Sequence, residues 1–158
     1  MREIVLKDGS KTKVDDIDYE FAIKNLWVLS NRGYAVRGIT LRGKKVKELL
    51  HREIIKRMFG SIPRDLFTDH INGNRLDNQR NNLRLANRSQ NQANVHVVKN
   101  KYGFKGISMS ETRKRWKATI KFNQKTLHLG YFSTSKEAAL AYDIKAKELF
   151  GEFARLNF

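Results

Sequence analysis

Two short segments, residues 66–70 and 83–85, and the stretch between them constrain the fold of this chain more than any other part of its sequence. The two segments predict strands, and residues 72–74, Asn-Gly-Asn, predict a tight turn between them. Asn87 can then cap a helix that runs to about residue 97. The pattern therefore predicts the order strand, strand, helix within a short segment.

The same stretch carries the side chains needed for a hydrolytic metal site. Asp69 supplies a carboxylate and His70 an imidazole, and Asn82 and Asn91 supply amides. Hard cations prefer oxygen ligands, and an imidazole with an ordinary pKa of about 6.5 can take a proton from water. Because adjacent strand residues point to opposite faces, Asp69 can face a metal ion while His70 faces a substrate. A helix packed across both strands would bring Asn91 near Asp69.

The balance of charge favours a polyanionic partner. Lysine and arginine total 32 against 16 acidic residues, which gives a formal net charge of +16. Such an excess suits a nucleic acid and predicts salt-sensitive binding, although an acidic membrane surface or a solvated basic surface would also fit. The chain has no cysteine, which excludes disulfides, cysteine-ligated zinc and a cysteine nucleophile.

The sequence shows no signal for export or membrane insertion. No apolar run approaches the length of a membrane span, and residues 1–8 lack the apolar core of a signal peptide. We therefore expect a cytoplasmic protein that is not secreted and has no membrane partner.

The N-terminal third is predicted to be rich in strands. Turn signals at residues 8–9 and 31–33 favour two hairpins. The predicted strands are residues 3–7, 11–14, 26–30, 34–41 and 44–50. An acidic cluster at residues 15–20 is typical of a capped short helix, although it could also bind metal. The spacing of apolar residues predicts a second helix over residues 51–59.

About residues 49–95 resemble the HNH nucleases, particularly the intron-associated homing endonucleases. The matching sequences are Leu50-His51-Arg52, Asp69-His70-Ile71-Asn72-Gly73-Asn74, Asp77-Asn78, Asn81-Asn82-Leu83-Arg84 and Ser89-Gln90-Asn91-Gln92-Ala93-Asn94. The resemblance implies that His70 is the general base and that Asn82 braces the loop. It also implies that Asp69 and Asn91 bind the metal ion.

The choice of metal follows from the same resemblance. Asn91 stands where many members have histidine, which is similar to the H-N-N branch of the family. An amide is a poor zinc ligand, so we expect Mg²⁺, with Mn²⁺ as the alternative, and no structural zinc. His51 and Arg52 could contact a phosphate, although a buried or capping role for His51 and a solvated role for Arg52 stay open.

Residues 104–158 form a second predicted unit, after a linker at residues 98–103. Three antiparallel strands are predicted at residues 104–108, 116–122 and 126–132. Apolar and polar residues alternate in the middle strand, which puts one set on a core face and the other on an open face. Residues 134–137, Thr-Ser-Lys-Glu, are a capping-box pattern that opens a helix.

This unit resembles the AP2 domain, a DNA-binding module of three strands and one helix. The matching sequences are Lys105-Gly106-Ile107, Trp116-Lys117-Ala118-Thr119-Ile120, Leu129-Gly130-Tyr131-Phe132, Glu137-Ala138-Ala139, Ala141-Tyr142-Asp143 and Gly151 with Ala154-Arg155-Leu156-Asn157-Phe158. The resemblance implies that the open face of the sheet lies in the major groove of DNA. The residues expected to contact DNA are Lys105, Arg113, Arg115, Lys117, Thr119, Lys121, Thr126 and His128. Ser108 and Ser110 stand where plant members have arginine, so the sequence preference of those members does not carry over.

Together these features predict an α+β protein with two domains. Residues 1–97 form a strand-rich region leading into a ββα-metal HNH core at about residues 66–97, and residues 104–158 form the AP2-like unit. The predicted function is metal-dependent hydrolysis of duplex DNA, by nicking or double-strand cutting, by a homing endonuclease of a phage or mobile intron. The protein would act as a monomer or a dimer. Two alternatives stay open: a non-catalytic AP2-type DNA-binding regulator, and an RNA-binding helper of intron splicing.

Overall fold

The computed structural model describes residues 1–95 and 101–158. Contacts between residues divide the chain into two compact units, Met1–Ala86 and Asn87–Phe158, and both combine strands with helices. Residues 96–100, where the predicted helix ends and the predicted linker begins, lie outside the described residues. Among the described residues, none of the helices is both long enough and apolar enough to span a membrane.

The first unit is built from small antiparallel sheets and two helices. Its elements are β1 Arg2–Val5, β2 Lys11–Val14, α1 Asp16–Ile23, β3 Val28–Leu29, β4 Ala35–Leu41, β5 Lys44–Leu49, α2 Leu50–Phe59, β6 Phe67–His70 and β7 Leu83–Ala86. The sheets are β1–β2, β3–β4–β5 and β6–β7. The predicted hairpins are confirmed, but the strand predicted at residues 26–30 is only two residues long. Trp27 leaves the strand because its side chain packs inwards and its indole N–H donates to the Ala22 carbonyl at 2.9 Å.

The core of the first unit lies between α2 and the sheets. Leu50, Ile54 and Ile55 of α2 are completely buried, and Trp27 packs in the same cluster. Gly60 ends α2 with a positive φ of 81°, as a helix-terminating glycine does. The buried apolar side chains of α2 thus fix the position of this helix, and with it the position of His51 in its first turn.

A buried carboxylate ties α1 to the rest of the first unit. Asp18 is 0% exposed and accepts from the Arg57 Nε at 2.9 Å and from the Arg80 Nε at 2.6 Å. Burial alone would raise the pKa of Asp18, but the two guanidinium groups lower it overall. The acidic cluster at residues 15–20 therefore lies in a short helix held by arginines. The predicted helix is present, but Asp15 at its N-cap makes no side-chain cap bond and accepts instead from the Arg80 N–H at 2.7 Å.

The second unit is a three-stranded antiparallel sheet with helices. Its elements are α3 Arg88–Asn94, β8 Ile107–Ser110, β9 Arg115–Phe122, β10 Lys125–Phe132 and α4 Ser135–Phe150. The strand β9 is central. Thr134 caps α4 as predicted, with its hydroxyl accepting from the Glu137 N–H at 3.2 Å.

The strand predicted at residues 104–108 begins later than expected, at Ile107. Gly106 has a φ of +78°, and a Cβ at this position would lie 2.0 Å from the Tyr142 ring. The chain therefore turns at Gly106 so that α4 can approach the sheet closely. Only a glycine fits this close contact.

The contacts of α3 place it in the second unit, whereas the sequence assigned it to the nuclease domain of residues 1–97. Ala93 is buried in a cluster with Tyr142 and Phe150 of α4, and its carbonyl accepts from the Arg155 N–H at 3.3 Å. Asn87 caps α3, and its side chain and that of Gln90 form the reciprocal bonds of a capping box. The helix of the predicted ββα segment is thus packed with the C-terminal elements.

The segment Leu-Asn-Phe at residues 156–158 is held by one buried carboxylate. The backbone N–H groups of Asn157 and Phe158 donate to Asp143 of α4 at 2.8 and 3.0 Å. The Asn157 Oδ1 also accepts from the Lys105 N–H at 2.7 Å. These residues, which carry much of the AP2 resemblance, therefore act here as a structural lock.

Candidate active site

Strand β6 carries the two residues with which the predicted site begins. Its register with β7 sets Asp69 opposite Arg84 and His70 opposite Leu83. Asp69 and His70 are both buried, with 7% and 5% of their surface exposed. The Arg84 Nε donates to the Asp69 Oδ2 at 3.0 Å. This charge-assisted bond from the neighbouring strand fixes the orientation of the carboxylate.

A chain of hydrogen bonds fixes the position of the proton on the His70 ring. The Thr12 hydroxyl donates to the Leu76 carbonyl at 2.8 Å, so its oxygen accepts from the Asn78 Nδ2 at 2.7 Å. The Asn78 Oδ1 then faces the His70 Nε2 at 3.1 Å, and an amide oxygen can only accept. Because Nε2 must therefore carry the proton of the neutral ring, Nδ1 carries the lone pair and is the basic nitrogen.

The surroundings of His70 favour the neutral ring. Burial lowers the pKa of His70, although the bond to Asn78 and two nearby carboxylates oppose this shift. The His51 ring lies 5.0 Å from the His70 ring, and the Tyr34 ring lies 4.9 Å from that of His51. Burial, and then the charge of His70, lower the pKa of His51 to about 3. At neutral pH the base therefore packs against the uncharged His51 ring.

Asn82 ties the loop between β6 and β7. Its Oδ1 accepts from the Asn72 backbone N–H at 2.9 Å, and its Nδ2 donates to the Asp77 carbonyl at 2.7 Å. The Asn72 Nδ2 donates in turn to the Asp77 carboxylate at 2.7 Å. Asn82 thus makes the bonds of a bracing residue, which is the role that the resemblance implies for it.

The other predicted site residues have different surroundings. Asn91 is half-buried in α3 of the second unit, and its role as a metal ligand stays a prediction. Arg52 is exposed on α2 and could reach a phosphate. His51 is only 5% exposed, so its surroundings do not support a direct phosphate contact and favour the alternative of a buried role.

The donor chemistry of the site fits a hard divalent cation. Asp69 offers a carboxylate that Arg84 holds in place. Within residues 1–95 and 101–158, no three His, Cys, Asp or Glu side chains form a ready-made metal cluster. Mg²⁺ is commonly held by one or two carboxylates together with substrate phosphates and water. The residues fit such a cation better than zinc, which prefers a closed set of Cys and His ligands.

Sequence reasoning gave no catalytic role to four residues that surround Asp69 and His70: Thr12, Tyr34, Asn78 and Arg84. Arg84 could have been found from the strand register, since it lies directly opposite Asp69. Thr12 and Asn78 are 66 residues apart, and no local pattern indicates that they meet. Such partners become visible only when the sheets are assembled.

The sheet of the second unit has the predicted open face. Thr119 pairs with His128, and Lys121 pairs with Thr126, across β9 and β10. The alternate residues Ala118 and Ile120 are buried at 0% and 3% exposure. The predicted alternation along β9 is therefore confirmed.

An aromatic and cationic group occupies the same face. Tyr131 pairs with Lys117 across β10 and β9, and its ring lies 4.7 Å from that of His128. The Arg113 guanidinium stacks over the Tyr131 ring at 4.7 Å, and an Arg115 Nη donates to the Ser133 hydroxyl at 3.3 Å. Tyr131 is absent from the predicted contact set because strict alternation after Thr126 and His128 would place it on the core face, whereas a register shift between His128 and Gly130 puts it on the open face.

The Lys105 ammonium makes its contacts with α3 and not with the residues of the open face. The ammonium donates to the carbonyls of Ala93 and Val95 at the C-terminal end of α3. Burial, and then the charge of Arg155, lower the pKa of Lys105 to about 8. The structure does not support the predicted DNA contact of Lys105, because its ammonium caps a helix instead.

The first unit therefore has a site of hydrolytic type: a buried imidazole with a defined basic nitrogen beside an oriented carboxylate. The HNH endonuclease family matches residues 48–93, which include both residues. An uncharacterized HNH endonuclease of Acanthamoeba polyphaga mimivirus is 37% identical over 134 residues, covering 85% of this chain and 67% of the viral protein. Protein 3.8 of Escherichia phage T7 is 34% identical over 108 residues, covering 68% of this chain and 88% of the phage protein. The chain belongs to the HNH endonuclease family.

A plant protein matches a shorter part of the chain. An AP2-like ethylene-responsive transcription factor of Arabidopsis thaliana is 42% identical over 57 residues. The match covers 35% of this chain and 16% of the plant protein, so it concerns one segment only.

Proposed function

We propose that this protein is a metal-dependent endonuclease of homing type that hydrolyses phosphodiester bonds in duplex DNA. The observation that carries the proposal is the bonded chain from Leu76 through Thr12 and Asn78 to His70, which leaves Nδ1 of a buried neutral ring as the base. Family membership supports the nuclease activity. The mimivirus and phage T7 sources of two relatives are consistent with a virus- or intron-borne role.

His70 moves the proton in the proposed reaction. Its Nδ1 takes a proton from a water molecule, and the oxygen of that water forms a new bond to phosphorus while the bond to the leaving oxygen breaks. Asn78 supports the positive ring that results, because its Oδ1 continues to accept from the Nε2 proton. The rings of His51 and Tyr34 lie 5.0 and 6.1 Å from the His70 ring and contribute to its burial.

Asp69 is the proposed metal ligand of the first unit, and Asn91 is assigned as the second ligand by resemblance alone. A bound Mg²⁺ or Mn²⁺ would stabilise the charge that develops on the phosphate and on the leaving oxygen. Arg84 holds the Asp69 carboxylate in place for this role. Arg52, exposed on α2, is a candidate phosphate contact.

The second unit is proposed to hold the DNA through the open face of its AP2-like sheet. The plant match and the cationic residues on β9 and β10 support this assignment. The proposed contacts are Arg113, Arg115, Lys117, Thr119, Lys121, Thr126 and His128. One site cuts one strand per binding event, so a monomer would nick, and a double-strand break would need a dimer or a second binding event.

The experiment uses the His70→Ala protein to select bound duplexes from a random library. A selected duplex is then cloned into supercoiled plasmid and incubated with the wild type or the variant, in Mg²⁺, in Mn²⁺ or in EDTA. We expect open circles from the wild type with either metal, and no conversion in EDTA or with His70→Ala. Tight binding without metal-dependent cutting by the wild type would refute the nuclease proposal and favour the DNA-binding regulator.

A further inference from the structure

The outer half of the β4–β5 hairpin, residues 38–47, is an exposed and strongly basic element that the proposed site does not use. We call it the basic ribbon. Residues 40–47 are all exposed, and a Cβ added at Gly38 or at Gly43 would meet nothing within 4 Å. The cations of the basic ribbon are Arg42, Lys44, Lys45 and Lys47, and residues 38–47 contain no acidic residue. A two-stranded element of this kind projects from the unit into solvent.

The register of the hairpin gives the basic ribbon two different faces. Thr40 pairs with Lys45, and Gly38 pairs with Lys47, so one face combines two lysines with two small residues. On the opposite face Ile39 pairs with Val46, and Leu41 pairs with Lys44. The face with Lys45 and Lys47 therefore carries two positive charges beside the small residues Gly38 and Thr40.

The charges of the basic ribbon are not neutralised within the protein. The nearest acidic residue in sequence is Glu48, which already pairs with Arg37 at 2.7 Å. In the part of the chain that the structure describes, no ion pair includes Arg42, Lys44, Lys45 or Lys47. Four cations within six residues repel each other, and a polyanion that covered them would relieve this repulsion.

The basic ribbon is directly connected to the residues around His70 in the same unit. Tyr34, just before β4, contacts the rings of His51 and His70 at centroid distances of 4.9 and 6.1 Å. The helix α2, which carries His51, begins immediately after β5. A seven-residue strand extends about 20 Å. The lysines therefore lie within about one helical turn of DNA from any phosphate bound beside His70, since a turn of duplex measures about 34 Å.

We propose that the basic ribbon is a second DNA-binding element, whose Lys45–Lys47 face contacts phosphates of the duplex on which the nuclease site acts. This inference rests on the proposed function, because it takes duplex DNA as the substrate. The contact is independent of base sequence and holds the catalytic unit itself on the DNA, whatever the second unit binds. Two-stranded ribbons are slim enough to approach a duplex closely.

The first test compares the salt dependence of DNA binding in EDTA. The double variant Lys45→Gln/Lys47→Gln is compared with the matched variant Lys7→Gln/Lys24→Gln, which removes two exposed lysines of the same unit. The slope of log K against log salt is negative, and each lost phosphate contact reduces its magnitude by about 0.9. We expect the magnitude to decrease by about 1 to 2 for the ribbon variant and to stay at the wild-type value for the control. Equal slopes for the two variants would overturn the proposal.

The second test determines which face of the basic ribbon contacts DNA. It uses single cysteines, since the chain itself contains none. An iron–EDTA reagent is attached to a single cysteine in Thr40→Cys or in Val46→Cys, which lie on opposite faces of the basic ribbon. We expect radical cutting of bound duplex from position 40 and much weaker cutting from position 46. Absence of cutting from position 40 would refute the assigned face.

The outcomes separate this inference from the proposed function. If the wild type nicks DNA with metal but neither ribbon test responds, only the ribbon proposal fails. If the wild type neither binds nor cuts duplex DNA, both fail together. A salt slope that changes only on duplex RNA would also reject the ribbon proposal.

Discussion

In the first unit, the residues around the proposed base come from distant parts of the chain, whereas in the second unit the proposed DNA-binding face comes from neighbouring residues of two strands. His70 depends on Asn78 and Thr12, and the latter two are 66 residues apart. Thr119 and Lys121, in contrast, share a face simply because they are two residues apart in β9. The hydrogen bonds of the proposed base thus require the whole first unit to be folded. The open face of the second unit requires only the alternation of side chains along a strand.

The contrast between the two units predicts which substitutions should be tolerated. A single substitution in the hydrogen-bond chain at His70 alters the base itself, because each side chain of the chain provides the hydrogen-bond partner of the next one. A single change on the open face removes one contact among several. The catalytic unit should therefore show large effects from few residues, and the sheet should show small effects that accumulate.

The largest expected effect is on cleavage by Asp69→Asn. The substitution keeps the shape of the side chain but removes the charge that would hold a divalent cation, so we expect at least about a hundredfold loss of cutting rate. Cutting rate measured against Mn²⁺ concentration should also show a higher half-saturation point. Asn91→Ala should raise the same point if Asn91 is the second ligand. An unchanged metal requirement in both variants would contradict the assignment of the ligands.

The next effect is on the stability of the second unit. Gly106→Ala would place a Cβ 2.0 Å from the buried Tyr142 ring at a φ of +78°, so we expect a loss of about 2 to 4 kcal/mol. Gly103→Ala is the matched control, since its φ is +74° but nothing lies within 4 Å of the new Cβ. The control should lose about 1 kcal/mol. Urea unfolding of both variants measures the difference, and equal losses would show that the close contact is unimportant.

A smaller effect is expected at Asn78, where the base is positioned. Asn78→Leu removes the acceptor for the Nε2 proton, so we expect the cutting rate to fall about ten- to a hundredfold while DNA binding is retained. Asn78→Asp keeps an acceptor oxygen and should restore part of the rate. If Asn78→Asp were no better than Asn78→Leu at equal stability, a purely structural role of Asn78 would be the better account.

The smallest effect is expected on the open face. Tyr131→Leu removes the ring on which Arg113 stacks, and we expect DNA affinity to fall about fivefold, which corresponds to about 1 kcal/mol. Tyr131→Phe retains the ring and should bind like the wild type. A larger loss with Tyr131→Phe than with Tyr131→Leu would indicate that the hydroxyl, and not the stacking, is what matters.

The elements that depend on local sequence could be predicted, and those that depend on packing could not. The sequence predicts the Thr134 cap of α4 and the alternation along β9, because both signals lie within a few residues. It does not predict the late start of β8, since the turn at Gly106 depends on the approach of the Tyr142 ring. It also does not reveal the bonds of the Lys105 ammonium to the end of α3, which form only when the unit is folded.

The same limit applies to the candidate site. His70 and Asp69 were found because they are adjacent and belong to a spaced motif. The basic nitrogen of His70 could not be assigned, because it depends on Asn78 and Thr12. The sequence leaves both a buried role and a phosphate contact open for His51, and the packing of the first turn of α2 against the His70 ring favours the buried role.

In the proposed division of roles, the first unit cuts DNA and the open face of the second unit binds it. The most direct measurement determines both the dissociation constant in EDTA and the single-turnover cutting rate at saturating protein, for His70→Ala and for Lys117→Ala/Thr119→Ala/Lys121→Ala. We predict that His70→Ala binds like the wild type but does not cut. The triple variant should bind weakly but cut at the wild-type rate once saturated. A triple variant that binds normally, or that cuts slowly even when saturated, would contradict this division of roles.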